Sequence, residues 1–235
     1  MKLREKAYER FTQQLLAKRI RPGQFLSQRE LMALTGLTLG PVRELIPRLE
    51  AEGLIVTIPQ RGMQIAHVDV NLVRNAFQLR CILELEAVRN FTSTASDQEI
   101  DALAADLANV TQRAEREPIT AELLGAAQVV DWSFHDALVD SLHNELVSNI
   151  YRVNSIRIRL IRLERVVLSP EVLLPALREH AEVIGAIEKR DGARAAEALQ
   201  RHLASAQTRA TGLLLMPAPR SGTPSAPTGK RKARG

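Results

Sequence analysis

The sequence predicts a mainly α protein in two parts: an N-terminal winged helix-turn-helix with a two-stranded wing, then an all-α antiparallel helical bundle. Three observations predict it. The stretch TGLTLGPVRELIPRLEAEGLI, Thr35 to Ile55, orders a turn, a proline-opened helix, a glycine stop and a strand. After it, LIVTI and MQIAHV flank Pro59-Gln60-Arg61-Gly62, and their β-branched and alternating residues read as a hairpin. Beyond Asp69 only helical periodicity with short joints remains, and short joints make neighbouring helices antiparallel.

In chain order, Ala7, Phe11, Leu15 and Ile20 recur at roughly helical spacing, and Arg21-Pro22-Gly23 ends that helix. Ser27-Gln28-Arg29-Glu30 has the form of a capping box; Leu31, Ala33 and Leu34 give the short helix behind it an apolar face. Gly36 supplies a tight turn. The next helix, about Pro41 to Glu52, therefore folds back across the short one, with Gly53 as its left-handed cap. Pro47 lies inside this helix, where it removes one hydrogen bond and is expected to bend or loosen it. Further on, helices are expected from about Val70 to Phe91, from the capping box Ser96-Asp97-Gln98-Glu99 to Arg116, from Pro118 to Leu142, and from Asn144 to Arg165. Ser169-Pro170 opens another, and Asp191-Gly192 separates the last two. PAPRSGTPSAPTGKRKARG has no core-forming pattern and reads as disordered.

Charge divides along the same lines. Lys and Arg against Asp and Glu number 11 and 7 in residues 1–70, 16 and 20 in 71–216, and 5 and 0 in 217–235. The net +5 thus equals the tail's own charge, so a high pI alone is no argument for nucleic-acid binding, whereas the sign change supports two functional parts. One cysteine, Cys81, excludes an internal disulfide, and no apolar run is long enough for a membrane span or signal segment. A cytoplasmic protein is expected.

Residues 20 to 66 resemble the winged helix-turn-helix of the GntR family of bacterial transcription regulators. The resemblance rests on RPG at 21–23, RELMALTGL from Arg29, PVREL at 41–45, RLEAEGLI at 48–55, and RG at 61–62. It implies that the helix from Pro41 enters the major groove of operator DNA while the wing turn approaches the minor groove. Carried over by position, Arg29, Arg43 and Arg61 contact bases or phosphates, Gly62 lets the wing backbone approach, and Thr38, Leu39 and Gly40 occupy the helix entrance. Family members commonly carry Ser-Arg-Thr at that entrance, so Leu39 stands where an arginine contact is expected.

Residues 71 to about 212 resemble the FCD effector domain of the FadR branch, through LR-x3-E at 79–84, DWSFH at 131–135, EH at 179–180, and His202. The expected organisation is a DNA-binding domain at 1–68, an all-helical effector-binding and dimerisation domain at 69–216, and the basic tail at 217–235. Asp131 and His135 are one helical turn apart, and the helices carrying His180 and His202 form a hairpin. This spacing suggests one site of three histidines and a carboxylate for a divalent transition metal: zinc first, with nickel or iron as alternatives. An ion with one ionised aspartate keeps positive charge and open positions, so a small carboxylate is the natural effector, and the resemblance implies that the effector lies beside the metal. Arg80 is the expected clamp for it together with Glu84, although an intrahelical Arg80–Glu84 pair accounts for the same residues. His67 and His143 have no spaced partners and read as surface or structural residues. The row Arg152, Arg157, Arg159, Arg162 and Arg165 reads as a solvated or dimer-facing edge rather than a phosphate track.

The leading function is a ligand-responsive regulator that binds palindromic operator DNA as a homodimer, a repressor released by a small organic acid. The alternative is a metal-dependent hydrolase or lyase with a regulatory N-terminal domain, against which stands the lack of any evident general base.

Overall fold

The computed structural model describes residues 3–17, 19–164 and 170–215. Helix α1 (Leu3–Leu16) is followed by strand β1 (Phe25–Leu26), α2 (Gln28–Thr35), α3 (Leu39–Ala51), β2 (Ile55–Ile58) and β3 (Gly62–Ile65). Six helices complete the described residues: α4 (Val70–Thr94), α5 (Asp97–Arg116), α6 (Ala121–Asp140), α7 (Glu145–Glu164), α8 (Pro170–Glu188) and α9 (Gly192–Leu215). Ser169, Arg165 and the tail from 217 lie outside the described residues, so the cap, edge and disorder expected there do too.

Local chemistry sets the helix-turn-helix. The Ser27 hydroxyl accepts from the Glu30 N–H while the Glu30 carboxylate accepts from the Ser27 N–H, so two otherwise unpaired amides are satisfied at the start of α2. The helix ends at Gly36, whose φ of 62° is the left-handed conformation that glycine adopts without steric cost. Arg10 of α1 donates to the carbonyls of Thr35 and Gly36 at 2.7 and 3.2 Å, tying the turn to α1. Leu31 and Thr35 form the buried face of α2; Ala33, expected inside, faces solvent. Helix α3 starts two residues before Pro41 and runs unbroken through Pro47, whose ring lies on the exposed side, opposite Val42, Leu45 and Leu49.

The expected two-stranded hairpin is present as β2 and β3, paired antiparallel from Ile55↔Ile65 to Ile58↔Gly62. A third strand that the sequence does not announce, β1, adds to the other edge of β3 through Phe25↔Gln64 and Leu26↔Met63. Gly62 has φ of 91°, and a Cβ there would lie 2.8 Å from the Leu26 carbonyl oxygen. The fold itself therefore requires glycine at this position.

In the bundle α4 is central and packs against α6, α7, α8 and α9, while α5 lies against α6 and α8. Its core joins Val88, Phe91, Leu107, Leu123, Leu138, Leu173, Val183 and Leu203. The winged part has its own core of Ala7, Phe11, Leu15, Leu31, Val42, Leu45, Leu54 and Ile65, but this core also takes in Ile156 and Leu160 of α7. Among the described residues no helix is long and apolar enough to cross a membrane.

Candidate functional site

Four helices of the bundle converge on a buried polar centre. Asp131 and His135 share the inner face of α6 with Phe134 and Leu138, because residues three and four apart on a helix point the same way. His180 of α8 and His202 of α9 meet them across the hairpin. Asp131, His135, His180 and His202 each offer one ligand atom, and these atoms all lie within 4.8 Å of one another. Ring centroids are 4.2 Å apart for His180 and His202 and 5.3 Å for His135 and His180, and Phe134 stands edge-on to both His135 and His180. Asp131 Oδ1 is 3.5 Å from His180 Nε2.

The outward-facing ring nitrogens are already engaged. His180 Nδ1 is 2.8 Å from the Ala176 carbonyl and His202 Nδ1 is 2.8 Å from Glu179 Oε2, so each Nδ1–H has an acceptor and each Nε2 is left as a lone pair turned to the centre. His135 Nδ1 lies 2.8 Å from Glu84 Oε2, out of line for a hydrogen bond. The Nε2 atoms of His135 and His202 are buried with no hydrogen-bond partner among the described residues. Burial, reinforced for His135 by the Arg80 charge, pushes both imidazoles down to about 4, so they are neutral lone-pair donors at physiological pH. Neutral imidazoles with one nitrogen fixed by a carboxylate or carbonyl are the usual ligand arrangement in protein metal centres, and these residues fit a divalent transition ion.

A layer of carboxylates supports the rings. Glu179 accepts from His202 and, through both oxygens, from Arg209 at 2.9 Å each; burial raises its pKa, but these bonds together outweigh burial and hold it at about 2. Glu84 accepts from Arg80 Nε at 2.6 Å and from the Tyr151 hydroxyl at 2.9 Å. Against full burial, the Arg80 charge keeps Glu84 well below the usual carboxylate range. The intrahelical Arg80–Glu84 pair is therefore made, and both side chains are buried. Sequence reading missed Glu179, Arg209 and Tyr151 as members of this layer. Only the Glu179-His180 adjacency signalled any of them, and Glu179 turns away from its neighbour toward His202.

Three cavities adjoin the centre, and Asp131 lines each. One is walled by Leu103, Leu107, Leu173 and Leu177, and one by Phe77, Ile158, Ile161 and Arg209. The third is small and polar: Arg80, Trp132, Tyr151, Asn154 and Ser155 surround it. There the Trp132 Nε1–H and the Asn154 Oδ1 are buried without a hydrogen-bond partner among the described residues, while Asn154 Nδ2 donates to the Ala76 carbonyl.

At the other end of the molecule, Arg29, Thr38, Leu39, Gly40, Arg43 and Arg61 are all exposed and Gly62 is partly exposed. Arg61, at the tip of the wing, stacks its guanidinium 5.3 Å above the Phe25 ring. The arginine row of α7 departs from its expected role. Arg157 hydrogen-bonds the Glu52 carbonyl at the C-terminus of α3, and Arg159 stacks 4.1 Å from the Trp132 ring and lies 3.6 Å from Asp136. Both are partly buried because α7 is sandwiched between the winged part and α4, contacts that no local pattern encodes. Arg152 alone behaves as a solvated edge residue; the Arg162 side chain and Arg165 lie outside the described residues. His143 and His67 are exposed and apart from the centre.

Comparison with known proteins follows this geometry. The FCD domain profile matches residues 75–205, more than half of the chain, and the profile of bacterial regulatory proteins, gntR family, matches residues 3–65. The chain belongs to the gntR family. It is a gntR-type transcriptional regulator with an FCD domain, and its relatives are regulators rather than enzymes. The HTH-type transcriptional repressor RspR of Escherichia coli is 28% identical over 188 residues, 78% of each chain. The Nta operon transcriptional regulator of Aminobacter aminovorans is 33% identical over 142 residues, 60% of this chain and 65% of that one. The fold of E. coli McbR/YncC superposes with a TM-score of 0.75 at 17% identity, over 90% of this chain and 98% of that one. The hydrolase or lyase alternative finds no support in these relatives, and Glu179, the carboxylate adjacent to His180 in the chain, is committed to His202 and Arg209.

Proposed function

We infer that this gntR regulator, of the FadR branch, is a repressor whose hold on operator DNA is released by a small carboxylate bound in the helical part. Its working organisation is a reader at 1–68, an effector and dimerisation unit at 69–216, and a basic tail at 217–235. Arg29, Arg43, Arg61 and the entrance Thr38-Leu39-Gly40 face the DNA, with Gly62 shaping the wing. Asp131, His135, His180 and His202 hold a divalent transition metal, zinc first, which when bound supplies positive charge and room for an anionic oxygen. The polar cavity beside it, with Arg80 paired to Glu84 on one wall and unmatched Trp132 and Asn154 groups on another, suits a hydroxylated organic acid. The name of RspR supports repression as the direction.

Helix α7 carries this reading. Its Tyr151 donates to Glu84, which touches His135, and its Asn154 lines the polar cavity; its Ile156, Arg157 and Leu160 are built into the winged part and the end of α3. A ligand that prefers one position of α7 shifts operator affinity, by no more than its differential affinity for the two positions. Exposed Leu146 and Ile150, one turn apart on α7, and Ile82 on the adjoining α4 suit burial against a second copy.

The test begins with a thermal-shift screen of organic and sugar acids on metal-loaded protein, with and without chelator. His180→Ala is expected to lose metal and the response to any acid found while still binding operator DNA. Unchanged acid-dependent release of DNA by that variant would overturn the proposed coupling.

A further inference from the structure

Glycine and leucine at the entrance of α3 lie outside the protein's core. Val42, Leu45 and Leu49 anchor the helix in the core, whereas Leu39, its first residue, leaves 37% of its surface in water and joins no core cluster. Gly40 has ordinary helical backbone, and a Cβ there would meet nothing within 4 Å, so neither conformation nor crowding asks for glycine in a helix that it weakens. Thr38, at the cap position, makes no side-chain capping bond, which leaves its hydroxyl available. Arg43, one turn after Leu39 on the same face, is exposed and has no hydrogen bond or ion pair among the described residues. An apolar side chain held out to water between an unused hydroxyl, a glycine with open space around it and an unpaired arginine is a surface built to be covered.

In a helix-turn-helix the entrance of the second helix is the part that reaches base edges in the major groove. The apolar feature on those edges is the thymine C5-methyl; an arginine fork matches guanine O6 and N7. We propose that Leu39 is a specificity-determining residue that reads a thymine methyl group, one helical turn from a base contact by Arg43, and that Gly40 keeps the helix entrance low enough for the backbone to approach. This rests on the reading of α3 as the operator-reading helix. Leucine at 39 is then a base contact in its own right rather than a lost one.

The experiment selects duplexes from random DNA with the full-length protein, then replaces each dT of the enriched half-site singly by dU, which removes only the methyl. Burial of one methyl corresponds to about fourfold in affinity per half-site and about fifteenfold when both halves of a palindrome are changed. The proposal expects one dU position, symmetric in the two half-sites, to weaken the wild-type protein by that factor. It expects Leu39→Ala to be insensitive to the same change, and Leu39→Arg to shift the selected base there to dG. Equal dU sensitivity in Leu39→Ala, or no sensitive position in the wild type, overturns it while leaving the operator-binding reading intact. Failure to enrich any sequence removes both.

Discussion

Glu179 shows how much of a site can rest on a residue that touches no ligand. It fixes the His202 tautomer and is itself fixed by Arg209, so Glu179→Gln leaves the packing volume unchanged but weakens the acceptor. The expected result is a 10- to 100-fold loss of metal affinity, about the usual effect of removing such a support, read by competition with a chromophoric chelator. The buried imidazoles give the metal-free protein an acid-sensitive step. His135 and His202 titrate near 4 in the folded state against about 6.5 in an unfolded chain, so on acidification the unfolded chain takes up protons first. Their contribution is therefore fully present above about pH 6.5 and lost as the pH falls toward 4, which denaturant midpoints across that window will show for the metal-free protein. The four candidate ligands were legible because helical spacing and one short joint bring them together. Glu84 and Glu179 were not legible as ring supports, since which way a side chain turns across a bundle depends on the partner helix and not on its own.

At the scale of elements, α3 holds a local conflict. Pro47 removes a helical hydrogen bond on the solvent side, where no tertiary contact requires it, so Pro47→Ala should stabilise the fold by about 1–3 kcal/mol in a denaturant titration. Gly62→Ala acts the other way. It forces a side chain into a left-handed backbone and against the Leu26 carbonyl, and should cost about 1–3 kcal/mol while loosening the edge strand β1. The helices were readable from capping boxes, proline and glycine, all of which act within a few residues. Strand β1 was not, because two residues have no periodicity and Phe25 and Leu26 become a strand only when β3 offers them an open edge. The α7 arginines escaped for the same reason: alternation with isoleucine and leucine on a helix does not say that both sides will be covered.

For the whole molecule, two measurements address assembly and linkage. A metal that binds only the folded chain raises its stability by about 2.7 kcal/mol at a hundredfold excess over Kd, so the Tm should rise with added zinc and the rise should vanish in His180→Ala. Leu146→Asp places a charge where a second copy is expected to sit and should shift the protein toward monomer in sedimentation velocity, with operator affinity falling as the second half-site is lost. The second follows from exposed Leu146 and Ile150 on the outer face of α7.

The sharing of Ile156 and Leu160 with the winged core bears on how such proteins diversify. Regulators of two parts invite the picture of interchangeable cassettes, in which any reader can be spliced to any sensor. Here the winged part takes two large apolar side chains from α7 of the bundle, and Arg157 bonds the end of α3. A chimera that keeps residues 1–68 but replaces the rest loses Ile156 and Leu160 from the core of the winged part unless the new bundle brings equivalent side chains. Recombination between relatives is then constrained at the seam between the two parts, and a successful graft has to transplant one face of a helix that lies some ninety residues downstream of the apparent boundary.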